Sequence, residues 1–253
     1  MFALERQKKI LDQLKANGSV TVSKLSAELG VTEETIRRDL EKLEKQEALL
    51  RTHGGAVPLD ENKQEFSLER RKKINTDVKQ KLAREAVTFI TPGDTVFIDA
   101  STTAFYMAQE LKSFHGITVI TNSLRVANEL SGLPDIKLIV VGGMVSMNQS
   151  LVGSMAESNI QNHYFVNKMF FSSRGISIAG ILESNEQECF IKQSMMQNAT
   201  VKYYLCDKGK FGRVGFVKLA KLDEIQYLIT EKDAVEPELQ AALDEYKVTV
   251  VTV

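Results

Sequence analysis

The sequence is poor in several residue types that build specialised sites. It has no tryptophan, two cysteines, three histidines and four prolines among its 253 residues. Two cysteines, Cys189 and Cys206, are too few for a disulfide framework and favour a reducing compartment. The histidines His53, His115 and His163 have no metal-ligand spacing with one another or with the cysteines. We therefore expect neither a disulfide scaffold nor a metal site.

Long apolar runs and common cofactor motifs are also missing. No stretch of about 18 apolar residues occurs, which argues against a membrane span. The start, MFALERQKK, lacks the apolar core of a secretion signal. The chain contains no GxSxG, Walker or GxGxxG motif. The sequence predicts a cytoplasmic protein with no membrane partner, no cofactor and no recognisable catalytic residues.

The composition is that of an ordinary globular protein, with 43% apolar and 26% charged residues. The length suits one small and one mid-sized domain. The formal net charge is −1, but basic side chains outnumber acidic ones between residues 61 and 84. Any contact with nucleic acid must therefore depend on where the basic groups lie, because their total is balanced.

Residues 1–57 have the layout of a winged helix-turn-helix. A helix is predicted over Leu4–Lys15 and a second over Val20–Leu29. Gly30-Val31-Thr32 forms a tight turn, and Thr32 is a suitable N-cap for a third helix that runs to about Gln46. His53-Gly54-Gly55 then lies between two short β-prone segments and predicts a hairpin.

In such a motif the helix after the turn enters the major groove, and its first residues reach bases and phosphates. That helix begins TEETIRRD, which offers two threonines and two adjacent arginines. The candidate DNA-binding residues of the helices and hairpin are Ser23, Thr32, Glu34, Thr35, Arg37, Arg38, Arg51, Thr52, His53 and Gly54. The alternative is that the charged residues form a solvated helix face with i,i+4 ion pairs.

The rest of the chain predicts a linker followed by an α/β domain. Residues 58–76 lack apolar periodicity and grade into a helix near Asp77–Ile90. Short β-branched segments then alternate with helical ones; the strands are expected at Thr95–Ile98, Thr118–Thr121, Ile136–Val141, Lys168–Phe171, Val201–Leu205, Ile225–Thr230 and Val248–Val253. Such alternation predicts a mostly parallel sheet covered on both faces, with ligands at the carboxyl ends of its strands. The expected domains are 1–57, 58–76 as linker, and 77–253.

The segment VTVSKLSAELGVTEETIRRDLEKLEKQEALLRTHGGAV, with its TIRRDL and THGGA motifs, resembles the DeoR family of bacterial transcriptional regulators. The resemblance continues through the second domain. It implies a winged helix-turn-helix followed by a sensor domain of the ribose-5-phosphate-isomerase-like fold. The partners that it implies are double-stranded operator DNA, a phosphorylated sugar, and further copies of the chain in a homodimer or homotetramer.

The resemblance also indicates where the effector would bind. Small hydroxyl residues where a strand meets a helix N-terminus offer donors to a phosphate, although simple helix capping is the alternative. The candidate effector-binding residues are Asp99, Ser101, Thr102, Thr103, Asn122, Ser123, Gly143, Arg174, Asp207 and Lys210. Three further residues, Arg71, Asn75 and Lys79, fall at the family's spacing. For Lys192, we expect a solvated surface position.

The chain departs from the family pattern at two single positions and in the segment Ser172-Ser173-Arg174, where the family commonly reads Gly-Ala-Asp/Asn. Glu47 and Ser101 replace family glycines, and Glu47 would be strained if the backbone there is left-handed. Arg174 stands where the family commonly has Asp or Asn; its guanidinium cannot act as a base, but it can hold a phosphate or carboxylate. The leading hypothesis is a repressor of a sugar operon. The alternatives are a phosphosugar isomerase fused to a DNA-binding module, and a regulator without ligand control.

Overall fold

The structure is a computed structural model that describes residues 2–59 and 67–253. The chain divides into two compact units, Met1–Arg70 and Arg71–Val253. The predicted linker 58–76 includes a helix at Leu68–Lys73, and residues 60–66 lie outside the described residues. The domain boundaries proposed from the sequence stay predictions.

The first unit combines short helices with a small antiparallel sheet. Its elements are α1 (Ala3–Asn17), β1 (Val20–Thr21), α2 (Val22–Leu29), α3 (Glu33–Lys45), β2 (Leu50–Thr52) and β3 (Gly55–Val57), and α4 (Leu68–Lys73) begins in this unit. The strand order is β1-β3-β2. Apolar side chains of the three helices, among them Ile10, Leu25 and Ile36, form a common buried core. The predicted helix-turn-helix and hairpin are present.

The start of α3 follows the prediction in detail. Thr32 has an extended backbone, and its Oγ1 accepts a hydrogen bond from the Thr35 amide at 3.3 Å. Gly30 ends α2 in a left-handed conformation with φ of 65°, which glycine adopts without steric cost. Together these residues fix the tight turn between α2 and α3.

The predicted start of the second helix, Val20, is wrong, because α2 begins at Val22. Val20 and Thr21 begin no helix but pair as strand β1 with Ala56 and Gly55 of β3. Residues 20–21 pair with a hairpin strand that is distant in sequence, so a long-range partner overrides the local helical spacing.

The second unit is built on a seven-stranded parallel sheet, as predicted. Its strands are β4 (Thr95–Ile98), β5 (Ile117–Thr121), β6 (Ile136–Val140), β9 (Val166–Phe171), β12 (Ala199–Cys206), β14 (Tyr227–Thr230) and β15 (Thr249–Thr252), in the order β15-β14-β12-β9-β4-β5-β6. Every neighbouring pair is parallel. The helices are α5 (Thr76–Val87), α6 (Thr102–Glu110), α7 (Leu124–Leu130), α8 (Ser154–His163), α9 (Glu186–Gln197) and α10 (Pro237–Glu245).

Two separate apolar clusters pack against this sheet. One includes Phe97, Phe171 and Tyr204, and the other includes Val96, Ile98 and Phe170. Alternate residues of one strand therefore enter different clusters, as expected for a sheet covered on both faces.

The sequence did not predict the smaller sheets of the second unit or α8. The antiparallel sheets are β10 (Gly175–Ser177), β11 (Gly180–Glu183) and β13 (Val217–Ala220), in that order, and the pair β7 (Met144–Val145) and β8 (Leu151–Val152). These strands are two to four residues long, too short to give a clear alternating pattern.

Candidate functional site

The candidate DNA-binding residues lie on the surface of the first unit. All ten are exposed except Thr35, which is half-buried. Thr32, Glu34, Arg37 and Arg38 belong to the first turns of α3 and its cap, whereas residues 51–54 comprise the end of β2 and the hairpin turn that follows it. The helix start and the hairpin turn therefore both present polar groups to solvent.

The intrahelical ion pairs proposed as the alternative are present in this structure. Arg37 Nη2 lies 2.8 Å from Glu33 Oε2, and Arg38 Nε lies 3.2 Å from Glu34 Oε1. The side chains of Arg37 and Arg38 remain 52% and 73% exposed. Exposed pairs of this kind are worth only a few tenths of a kcal/mol, so the glutamates hold the two arginines only weakly.

A buried ion pair holds α3 in place behind this surface. Asp39 is 2% exposed, and its carboxylate accepts hydrogen bonds from Arg6 at 2.5 Å and Gln7 at 2.9 Å, both on α1. Asp39 therefore orients α3 against α1, whereas its neighbours Arg37 and Arg38 face outward.

Nearly all candidate effector residues follow the carboxyl ends of adjacent parallel strands in the second unit. Asp99 to Thr103 follow β4, Asn122 and Ser123 follow β5, Arg174 follows β9, and Asp207 and Lys210 follow β12. These strands are neighbours in the order β12-β9-β4-β5. We call this edge of the sheet the crevice.

The loop after β4 is closed by its own hydrogen bonds. Asp99 Oδ1 accepts from the Ser101 amide at 3.1 Å and from Ser101 Oγ at 2.6 Å. Ser101 Oγ in turn accepts from the Ala104 amide at 3.1 Å and so caps α6. The capping role is thus observed for Ser101. Thr103 differs, because its buried hydroxyl has no hydrogen-bond partner among the described residues.

The loop after β5 shows the same division of roles. Ser123 Oγ caps α7 by accepting from the Val126 amide at 3.3 Å. The Asn122 side chain is 1% exposed; its Nδ2 donates to the Leu151 carbonyl at 3.3 Å, while its Oδ1 has no partner among the described residues. Asn122 and Thr103 therefore each have one buried polar atom without a hydrogen-bond partner among the described residues, which calls for an explanation.

Lys210 supplies a cation to the crevice. Its Nζ donates to Ser172 Oγ at 2.5 Å, and Ser172 Oγ donates to the Leu205 carbonyl at 2.5 Å. Burial lowers the pKa of Lys210, an effect that the Asp207 carboxylate opposes. Asp207 itself is 4% exposed, and its Oδ1 accepts from the Gly209 amide at 3.2 Å.

The expectation for Lys192 was wrong. Lys192 is 5% exposed; its Nζ lies 2.5 Å from Glu183 Oε2 and 3.3 Å from Asp99 Oδ2, and donates to the Ser172 carbonyl at 2.8 Å. Burial disfavours the charged forms of all three groups. Pairing outweighs burial for Lys192, whose pKa is raised, and for Glu183, whose pKa is lowered, whereas for Asp99 burial prevails and the pKa is raised. Lys192 is therefore a buried ammonium group that links β4, β11 and α9.

Gly143 and Arg174 have structural roles of their own. At Gly143, with φ of 150°, a Cβ atom would lie 2.9 Å from both Ala156 Cβ and the Val152 carbonyl oxygen, so close packing requires glycine there. Arg174 is 9% exposed, and its amide donates to the Leu182 carbonyl at 3.1 Å. It lies in the connection between β9 and β10.

Comparison with known proteins identifies the two units. Residues 6–62 match the DeoR-like helix-turn-helix domain, and residues 74–232 match the DeoR C terminal sensor domain. The chain belongs to the DeoR family. It is accordingly a DNA-binding transcriptional regulator, and the resemblance inferred from TIRRDL and THGGA is confirmed.

Other DeoR-type regulators match along most of the chain. The HTH-type transcriptional regulator YulB of Bacillus subtilis is 39% identical over 100% of this chain and 98% of its own length. The repressor GlcR of B. subtilis is 36% identical over 92% and 90%. The lactose phosphotransferase system repressor of Lactococcus lactis is 38% identical over 82% and 83%.

Solved structures give a weaker likeness. Ribose 5-phosphate isomerase A of Methanocaldococcus jannaschii has a TM-score of 0.41 and 17% identity, over 55% of this chain and 56% of its own. This level of likeness assigns no activity to the DeoR-family chain. Within residues 2–59 and 67–253, no helix has the length and apolar character needed to cross a membrane.

Glu47, at a position where the DeoR family usually has glycine, does adopt the left-handed conformation, with φ of 53°. Its carboxylate accepts the Ser67 amide at 3.0 and 3.3 Å. A non-glycine residue costs roughly 1–2 kcal/mol in this conformation, and the hydrogen bond to the start of α4 offsets part of that strain.

Sequence reasoning missed several residues of the crevice. Glu183 carries no motif, and Ser172 is marked only as part of the segment that departs from the family pattern; with Lys192 they form a buried polar network. A signal existed for Lys192, because it shares a helix with Cys189, Ile191 and Met195, all buried. A lysine among core positions of a helix needs a buried acid as its partner.

Proposed function

We propose that this chain is a repressor of a sugar-metabolism operon and that a phosphorylated sugar in the crevice controls its affinity for operator DNA. The observation that carries the effector part is the pair of buried, unpartnered polar atoms, Thr103 Oγ1 and Asn122 Oδ1. They follow adjacent strands, and Thr103 lies in the first turn of α6, where backbone amides favour an anion. A sugar phosphate offers both the anion and the hydroxyl groups that these atoms lack.

The charges of the crevice support the same ligand class. Lys210 provides an ammonium group for the phosphate, and Asp207 can accept a sugar hydroxyl. Lys192 is already paired with two carboxylates, so it holds the surrounding loops in place and does not offer a free charge to the ligand. The name of the lactose phosphotransferase system repressor, one of the relatives, agrees with control of sugar metabolism.

The proposed DNA contacts are the exposed start of α3 and the hairpin turn. Thr32 and Thr35 can reach bases or phosphates, while Arg37 and Arg38 exchange their glutamate partners for DNA. Residues 51–54 would touch the backbone or the minor groove. Paired recognition helices must meet half-sites about one helical turn apart, which is the reason for proposing a homodimer or homotetramer.

An isomerase is the second candidate, because Asp99, Glu183 and Lys192 cluster beside the proposed ligand. We favour a non-enzyme for two reasons. The Glu183 carboxylate is held ionised by Lys192, which weakens it as a base. Arg174 occupies the position where the family commonly has Asp or Asn, and a guanidinium does not accept protons. Turnover of pentose or hexose phosphates by the full chain would establish the isomerase instead.

The test begins with operator DNA selected from a random-sequence library by the full chain. Glucose 6-phosphate, fructose 1-phosphate and ribose 5-phosphate are then compared with the free sugars for their effect on melting temperature and operator affinity. We expect one phosphate to raise the melting temperature and to change operator affinity about 5- to 150-fold. Free sugars with the same effect would refute recognition of the phosphate.

A hydroxyl deletion localises the ligand. Thr103→Val removes the unpartnered Oγ1 at nearly constant side-chain volume. It should therefore weaken binding of the phosphorylated sugar and leave operator binding without the sugar unchanged. The matched control is Thr200→Val, at the amino end of β12, where the side chain is exposed. Equal ligand affinity in the two variants would place the effector elsewhere.

A further inference from the structure

The last turn of α4 is held by side chains of the second unit. Lys79 Nζ donates to the carbonyl oxygens of Arg71 at 2.5 Å and Ile74 at 2.6 Å. The Lys72 carbonyl accepts from Thr76 Oγ1 at 3.2 Å and from Tyr106 at 3.4 Å. The carbonyl groups that a helix end leaves open are thus satisfied by groups of α5 and α6.

A first connection runs from this turn to the crevice. Asn75 Nδ2 donates to Asp207 Oδ1 at 2.9 Å, and the same oxygen accepts the Gly209 amide in the turn that carries Lys210. Asn75 is left-handed, with φ of 52°, a conformation that asparagine tolerates better than most residues. Its amide is therefore the direct link between the end of α4 and the loop proposed to hold phosphate.

A second connection runs from Arg71 to helix α9. Arg71 Nη2 donates to Asn148 Oδ1 at 2.5 Å, and Asn148 Nδ2 donates to Glu188 Oε1 at 3.1 Å. Glu188 is buried and also accepts from Ser150 Oγ. It lies one helical turn before Lys192 on α9. The end of α4 is thus connected to the helix that carries the buried ammonium group.

The start of α4 is held within the first unit. The Ser67 amide donates to the Glu47 carboxylate, and Leu68 is 6% exposed. Glu47 follows α3 by two residues. One short helix therefore has its first residues attached next to the end of the recognition helix and its last residues attached to the crevice.

We propose that α4 is the coupling element of the regulator, and that Asn75 and Glu47 are the positioning residues at its two ends. This inference rests on the proposed function. A phosphate bound by Lys210 would draw the ammonium group away from Ser172 and Asp207 and shift the Lys208–Lys210 turn. The Asn75–Asp207 hydrogen bond then transmits that shift to α4, and Glu47 transmits it to the end of α3.

The charges around Lys79 agree with this direction of coupling. Burial and the nearby cations Lys210, Arg71 and Arg125 together lower the pKa of Lys79 to about 8, against the Asp207 carboxylate, which raises it. A phosphate dianion beside Lys210 offsets that repulsion. It thereby strengthens the ammonium cap on the Arg71 and Ile74 carbonyls, so effector binding orders the last turn of α4.

The test uses glycine substitutions that keep the left-handed backbone and remove only the side-chain link. Asn75→Gly and Glu47→Gly are compared with Asp233→Gly, an exposed left-handed position outside the network. The readouts are the melting shift with the active sugar phosphate, the ratio of operator Kd with and without it, and hydrogen exchange of residues 67–76. These separate effector binding from its transmission.

We expect all three variants to retain the melting shift, because none removes a proposed ligand contact. In Asn75→Gly and Glu47→Gly the ratio of operator Kd values should fall toward 1, and residues 67–76 should lose their exchange response. Asp233→Gly should keep the parent's ratio. If Asn75→Gly and Glu47→Gly also keep that ratio, α4 does not couple the sites.

A hydrogen-exchange experiment without ligand tests the connection between the crevice and α4 even when no sugar phosphate binds. Asp207→Ala should accelerate exchange of residues 71–76, whereas Asp223→Ala, at an exposed position, should not. Failure of every sugar phosphate to shift the parent's melting refutes the effector class alone. Unchanged exchange in Asp207→Ala refutes the connection from the crevice to α4.

Discussion

Replacement of Lys192 by methionine tests the buried charge network most directly. Methionine keeps the length of the side chain but removes the ammonium group shared by Glu183 and Asp99. Both carboxylates are at least 94% buried, so neither gains water as a substitute. Breaking a buried ion pair by removing one partner typically destabilises by about 3–5 kcal/mol. The Ser172 carbonyl also loses a donor.

For a unit of this size, about 1 kcal/mol corresponds to roughly 2–4 °C in Tm. Lys192→Met should therefore lower the Tm of the second unit by roughly 6–20 °C at pH 7, measured by calorimetry on the full chain. The control is Lys232→Met, at an exposed position, with an expected change within about 0.5 kcal/mol. The difference in Tm between the two variants separates the effect of breaking the buried ion pair from the effect of losing any lysine.

The pH dependence gives a second, independent criterion. In the parent, Lys192 lowers the pKa of Glu183. The stabilisation that the ionised Glu183 gives the folded state is therefore present above the unfolded-state pKa of about 4.3 and fades as pH falls. In Lys192→Met the unpaired carboxylates have raised pKa values, so their destabilisation is present at pH 7 and fades as pH falls. The gap between parent and variant should thus shrink toward pH 5. A loss below about 1 kcal/mol, or a gap independent of pH, would refute the buried network.

Three further outcomes are expected. Gly55→Ala should destabilise the first unit by about 1–3 kcal/mol, because a Cβ there would overlap the Val20 carbonyl group of β1. Gly54→Ala, with open space around its Cβ, should not destabilise it, and equal thermal melts of the two variants would contradict this prediction. Arg37→Ala or Arg38→Ala should weaken operator binding by about 1–3 kcal/mol for a base contact, or lower the salt slope by about one for a phosphate contact; unchanged binding across salt would exclude the docking. Lys79 has a pKa of about 8 and loses its charge as the pH rises, so effector affinity measured by calorimetry should fall from pH 7 to 9. Lys79→Met should flatten that dependence. An unaltered pH profile in this variant would show that the charge of Lys79 does not contribute to effector binding.

The elements predicted well are those whose signal is local or strongly periodic. Thr32 caps α3 because an extended threonine before two glutamates is a favourable helix start whatever surrounds it. The seven strands of the parallel sheet were found because buried parallel strands are continuous apolar runs. All seven occur where predicted, within a few residues.

The elements predicted poorly depend on distant partners. Val20 and Thr21 have helical spacing with later residues, yet the hairpin recruits them as β1. Lys192 resembles a surface lysine until Glu183 and Asp99 are brought beside it by β11 and β4. Helix α8, Ser154–His163, has only Ala156 and Ile160 buried, so its apolar stripe is too thin to be recognised from the sequence.

Glu47 shows how a departure from a family pattern acquires meaning only through the structure. The sequence identifies a residue that the left-handed backbone disfavours, and the backbone is indeed left-handed there. Glycine would supply that conformation without strain, but it would leave the Ser67 amide without the carboxylate that now accepts it. In this chain the strain is compensated by a side-chain contact that fixes the start of α4. The residue least suited by its type to the left-handed position after α3 is therefore the one that contacts the start of α4.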